Sequence, residues 1–165
     1  MEIKTHPPMT VLYSTHQTTI KQLDQFVGNA VKELYAEAVH NDVLISGPAY
    51  WIYHGMDGNP DTVFTLEIAL PIQGKVNDSR FATKELASFK AACHVHENGW
   101  TKIPATYTQI MQFIAMNNLQ MTGECREIYS NIDFENPENN LTEIQVGVFI
   151  RELQHAGNNT LNSKT

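Results

Sequence analysis

The strongest constraint on this chain is that its sequence is written twice. "FTLEIALPI" (64–72) and "LTEIQVGVFI" (141–150) each place one glutamate inside an otherwise apolar strand. Setting Glu143 on Glu67 fixes an offset of 76 positions. That offset also sets Gly123 on Gly47, Ile128 on Ile52, Tyr129 on Tyr53, Asp133 on Asp57 and Ile144 on Ile68, with no gap. Upstream it sets Ile103, Tyr107, Ile110 and Ile114 on Val27, Val31, Leu34 and Ala38. Those positions are spaced 4, 3 and 4, which is one stripe of an amphipathic helix in both halves.

Each half therefore reads as β-α-β-β. A strand opens it ("MTVLYSTHQ", 9–17; "FKAACHVHE", 89–97), and a helix follows at about 19–41 and about 101–117. Pro104 falls in the first turn of the second helix, where a missing N–H costs little. A glycine turn at Gly47 or Gly123 leads into a second strand ("AYWIYHG", 49–55; "CREIYSN", 125–131). A polar turn precedes the glutamate-bearing strand. Neither half can bury a sheet face on one helix and be stable alone, so the two must pack together. The prediction is one α+β domain over residues 1–150, with pseudo-repeats at about 9–72 and 89–150 related by a pseudo-two-fold axis. The polar segment 73–80 links them, "TKELASF" (83–89) leads into the next strand, and residues 151–165 form a polar tail.

Period-two alternation sorts the faces. Phe64, Leu66, Ile68, Leu70 and Ile72, like Ile144, Val146 and Val148, fall on the face a helix should cover. Glu67 and Glu143 fall on the other, mixed face. A strand glutamate is most often simply solvated. Two at the same register of a repeated strand point instead to a groove with convergent polar groups, as small-ligand sites are built.

Composition excludes several classes. A net charge of −7, with no run of Lys and Arg, argues against phosphate-backbone binding. Two cysteines without CxxC spacing, Cys93 and Cys125, read as buried free thiols of a cytoplasmic protein. The N-terminus shows no apolar signal region, and no apolar run is long enough to span a bilayer. His94 and His96 share a strand face but no third ligand stands nearby, so no metal or cofactor is predicted. No GxSxG, Walker A, HExxH or GxGxxG motif is present.

Gly99 with Trp100, the helix that follows, "REIY" ending at Tyr129 and "LTEIQV" with Glu143 carry a resemblance. This pattern, over about residues 8–150, resembles the GyrI-like small-molecule-binding family, the effector-binding domains of AraC-type and MerR-type transcription regulators. The resemblance implies an antiparallel sheet with two main helices and a central cleft. It implies ligand contacts at Glu143, Tyr129 and Trp100; pseudo-symmetry adds Glu67, Tyr53 and Trp51. Many members carry Pro-Tyr after the glycine, where this chain has Trp-Thr. Only about eight residues precede the first strand, so a stand-alone effector domain without a recognition helix is expected. The expected function is binding of an amphipathic, cationic or aromatic small molecule. The alternatives are a hydrolase of strained-ring DNA-alkylating compounds with Glu143 as general base, and a modulator that contacts DNA gyrase or another protein. No direct nucleic-acid or membrane contact is expected.

Overall fold

A computed structural model describes residues 1–26 and 29–150. It is an α+β domain built on one nine-stranded antiparallel sheet. The strands are β1 (Glu2–His6), β2 (Met9–Thr18), β3 (Leu44–Ile45), β4 (Tyr50–His54), β5 (Phe64–Gln73), β6 (Ala82–Leu86), β7 (Phe89–Glu97), β8 (Leu119–Asn131) and β9 (Leu141–Ile150). The helices are α1 (Ala30–His40) and α2 (Ile103–Met116). The sheet order is β1-β7-β9-β8-β4-β5-β2-β6, with β3 paired to β5. The second half has the predicted β-α-β-β order, β7-α2-β8-β9, and the first has it with a two-residue strand added, β2-α1-β3-β4-β5. Among the described residues no helix is long and apolar enough to cross a membrane.

The ends of this sheet are tied to each other. β1 runs into β2 across Pro7 and Pro8, and β6 runs into β7 across Ala87 and Ser88. These two bent strands pair in one unbroken register, with Glu2 opposite Cys93, His6 opposite Phe89, Met9 opposite Leu86 and Tyr13 opposite Ala82. At the bend, Ser88 Oγ donates to the His6 carbonyl at 3.2 Å. The sheet thus rolls on itself, and both of its faces are buried.

The outer face is covered by the helices. α1 presents Leu34 and Ala38 and α2 presents Ile110 and Ile114, to Leu66, Ile68, Ile144 and Val146 of the sheet. Leu34 and Ile110 are fully buried, a burial that stabilises by about 1.5–3 kcal/mol each. The predicted stripe holds from Leu34 and Ala38, with Val31 half-buried; Val27 lies outside the described residues. Among the described residues no helix lies on the inner face. Val11, Ile52, Ala69 and Leu86 meet there, with Phe89, Ala91 and Cys93 alongside.

Four features differ from expectation. The first helix does not run unbroken from residue 19. Ile20–Phe26 form a 3-10 turn and the α-helix starts at Ala30, because Thr18, Thr19 and Ile20 are β-branched and Asn29 is a poor helix former. The chain before residue 9 is a strand, β1. "TKELASF" divides between β6 and β7 rather than opening one strand. Gly123 does not precede its strand. It sits at φ 88° within β8, where the β8–β9 register shifts between Met121 and Cys125, so it serves a β-bulge.

Candidate functional site

The middle of the outer face, where β4 meets β8, carries a buried carboxylate. Trp51 stands opposite Glu127 in the β4–β8 register. By period two, Tyr53 shares that face on β4 and Tyr129 shares it on β8. α2 adds Tyr107, and the turn after β7 adds Trp100. Three tyrosine hydroxyls donate to Glu127: Tyr53 to Oε2 at 3.0 Å, Tyr129 to Oε2 at 2.5 Å and Tyr107 to Oε1 at 2.9 Å. Glu127 is 5 % exposed.

Aromatic edges close this cage. The Trp51 ring lies 5.5 Å from Tyr129, Trp100 lies 5.7 Å from Tyr129, and Phe134 lies 5.6 Å from Trp100, all edge to face. Trp100 Nε1 is buried without a hydrogen-bond partner. Its turn is held by His96, whose Nδ1 lies 2.7 Å from Thr106 Oγ1 and whose Nε2 lies 3.2 Å from the Gly99 carbonyl. His96 is therefore a buried structural histidine that joins β7 to α2.

The electrostatics follow from burial. Desolvation pushes the Glu127 carboxyl above the usual carboxylate range, and the bonds from Tyr129, Tyr107 and Tyr53 pull it only part of the way back. Burial, then the Glu127 charge, holds all three phenols well above their ordinary value. The result is a carboxylate in an apolar ring wall whose side-chain donors, among the described residues, are all uncharged hydroxyls. An arrangement of this kind favours a guest that brings positive charge and aromatic surface.

Glu67 and Glu143 stand on the other face. Glu143 pairs across the ladder with Ile128, one residue away from both Glu127 and Tyr129, so it points to the inner side. This corrects the expectation that Glu143 lies within reach of Tyr129 and Trp100: a one-residue step along β8 reverses the face. Glu67 is opposite Ile52 and Thr15 and is already neutralised. Lys84 Nζ lies 2.7 Å from both of its oxygens and His54 Nε2 lies 3.2 Å from Oε2. Burial pushes the Glu67 carboxyl up, but Lys84 and His54 outweigh it and leave the group below the usual range. The two cysteines are free and buried, and burial pushes Cys93 up to about 11 and Cys125 to about 12.

The fold has known counterparts. The family model of the GyrI-like small molecule binding domain matches residues 1–148. The chain is a GyrI-like domain. Its fold is similar to that of the EcmrR C-terminal domain, at 15% identity and a TM-score of 0.77, covering 91% of this chain and 97% of that one. It is similar to SAV2435, solved bound to tetraphenylphosphonium, at 17% identity and a TM-score of 0.60, covering 94% and 96%. It is also similar to a hydrolase encoded by lin2189 from Listeria innocua, at 18% identity and a TM-score of 0.65, covering 90% and 91%. No curated protein matches the chain in sequence.

Of the six residues expected at the site, the cage in this GyrI-like domain brings together Trp51, Tyr53, Trp100 and Tyr129 and leaves Glu67 and Glu143 outside. Three members of the cage lie outside those six: Glu127, Tyr107 and Phe134. Glu127 lies inside "REIY" itself, and period two from Tyr129 was the signal that could have found it. Tyr107 was assigned to the packing stripe of α2; nothing in helical spacing says that its hydroxyl crosses to β8.

Proposed function

We propose that this GyrI-like domain binds an amphipathic aromatic cation against Glu127. The observation that carries the reading is a buried carboxylate whose side-chain donors, among the described residues, are three tyrosine hydroxyls and whose walls are Trp51 and Trp100. A cation placed there trades the desolvation cost of Glu127 for ion pairing and ring-face attraction on the order of 1–2 kcal/mol. Trp100 Nε1 offers one further unused donor to the guest. SAV2435 holds a tetraaryl cation in a related fold, which supports the same ligand class here. Entry requires the edge-to-face stack of Trp100, Tyr129 and Phe134 to part, since Glu127 is 5 % exposed; Phe134, at 69 % exposed, is the outermost ring of the stack.

Because Trp51 and Trp100 are the only tryptophans, selectively excited tryptophan fluorescence reports on the cage. Titration with tetraphenylphosphonium should give a saturable change in Trp emission that Trp100→Phe reduces. A flat titration up to millimolar cation contradicts the reading.

The likeness to the lin2189 hydrolase favours a second reading, turnover of a bound ring compound. A general base needs a carboxylate oxygen aimed at water beside the aromatic platform. In the cage both Glu127 oxygens already accept from tyrosine, and Glu143 stands on the opposite face from Trp100 and Tyr129. Binding is therefore the better-supported function.

A further inference from the structure

The inner face holds a second cluster, unrelated to the aromatic cage. His6 on β1, Cys93 on β7 and Glu143 on β9 come from three adjacent strands, and one donor atom of each lies within 4.8 Å of the others. We propose that His6, Cys93 and Glu143 bind a zinc-type divalent cation. His6 Nε2 and Cys93 Sγ are 3.4 Å apart. Zinc at ~2.0 Å from nitrogen and ~2.3 Å from sulfur, in tetrahedral geometry, sets those donors about 3.5 Å apart. Imidazole, thiolate and carboxylate together suit zinc over magnesium or calcium, which take oxygen ligands. Beside Cys93 and Glu143 lies a cavity of about 140 Å³, reached past Met1 and Glu2, with room for a water on the fourth coordination position.

A comparison within the molecule shows why a cation belongs there. Lys84 on edge strand β6 stands opposite Val11, four residues before Thr15, and Thr15 stands opposite Glu67. Lys4 on edge strand β1 stands opposite Ala91, four residues before Val95, and Val95 stands opposite Glu143. The two lysines hold the same place relative to the two glutamates. Lys84 spans its strand and grips both oxygens of Glu67, packed over the Tyr13 ring at 4.4 Å. Lys4 instead pairs with Glu2 at 2.8 Å. Among the described residues Glu143 has one neutral donor, Gln145 Nε2 at 3.0 Å, and has His6 and Cys93 beside it where Leu86 and Tyr13 stand in the other half. A half-buried carboxylate that no described lysine or arginine pairs with, beside a thiol and an imidazole, is a metal-ligand set.

The test is a cobalt(II) titration of the full chain carrying no histidine tag, followed by optical absorption. One cobalt per chain should bind, with intense tetrahedral d–d bands and a thiolate-to-cobalt charge-transfer band, and zinc should displace it. Cys93→Ser should abolish the charge-transfer band. His6→Ala and Glu143→Gln should each weaken binding by at least the ~10–100-fold that losing even an outer partner costs. Far-ultraviolet circular dichroism of each variant confirms that the fold is kept; should Cys93→Ser fail to fold, the two half-exposed positions His6 and Glu143 carry the test. No stoichiometric binding, binding without the charge-transfer band, or binding unchanged by His6→Ala and Glu143→Gln overturns the proposal.

Discussion

At the scale of the residue, the two buried carboxylates differ in sign. Glu127 has a folded pKa raised by desolvation above its ordinary 4.5, so its contribution to stability is fully present below that value and is lost as pH rises through the folded pKa. Glu127→Gln should therefore gain in melting temperature over the native chain as pH rises from about 4 toward 7. A constant difference across that range would contradict the assignment. Glu67 has a depressed pKa, so its contribution is present above 4.5 and is lost as pH falls through the folded pKa. Glu67→Gln should melt lower than the native chain at pH 7, and the gap should close in acid. The sequence made Glu67 and Glu143 conspicuous because they interrupt apolar strands. It hid Glu127, because a carboxylate between Arg126 and Ile128 in a short mixed strand looks ordinary until its register partner, Trp51, is known.

At the scale of the element, hydrophobic period sufficed wherever burial is one-sided. The β5 and β9 alternation and the Leu34–Ala38 and Ile110–Ile114 stripes stand in the structure as read. Leu34→Ala and Ile110→Ala, both at fully buried positions, should each cost about 2–5 kcal/mol in denaturant unfolding. A loss under ~0.5 kcal/mol at both sites would mean that the helix face is wrong. β1 and β6 were the elements least legible. Each has five residues and is mostly exposed, and what makes them strands is a partner far away in sequence, β7 for one and β2 for the other. Local pattern carries no trace of such pairing. The bulge at Gly123 was read as a turn for the same reason: a glycine at positive φ marks a departure from the ladder without saying which kind.

At the scale of the whole molecule, the repeat pointed to two halves that share one core, and the sheet order shows how they share it. β4 and β8 join them at the middle, and the bent strands β1-β2 and β6-β7 join them again at the ends. β1 thus covers the edge of β7. Removing residues 1–8 should expose that edge, lower the melting temperature and promote self-association on size exclusion; a monomer of unchanged melting temperature would show that the closure adds nothing. The rolled sheet also explains why one GyrI-like chain can hold carboxylates on both faces with different partners. The outer one sits among neutral hydroxyls and rings, and that is the central claim. Its most direct test is calorimetric titration of the native chain and Glu127→Gln with tetraphenylphosphonium and with neutral triphenylphosphine oxide. The charge of Glu127 predicts that the substitution weakens the cation by on the order of 1–3 kcal/mol and leaves the neutral compound nearly unchanged. Equal loss for both compounds, or no loss for the cation, would contradict it.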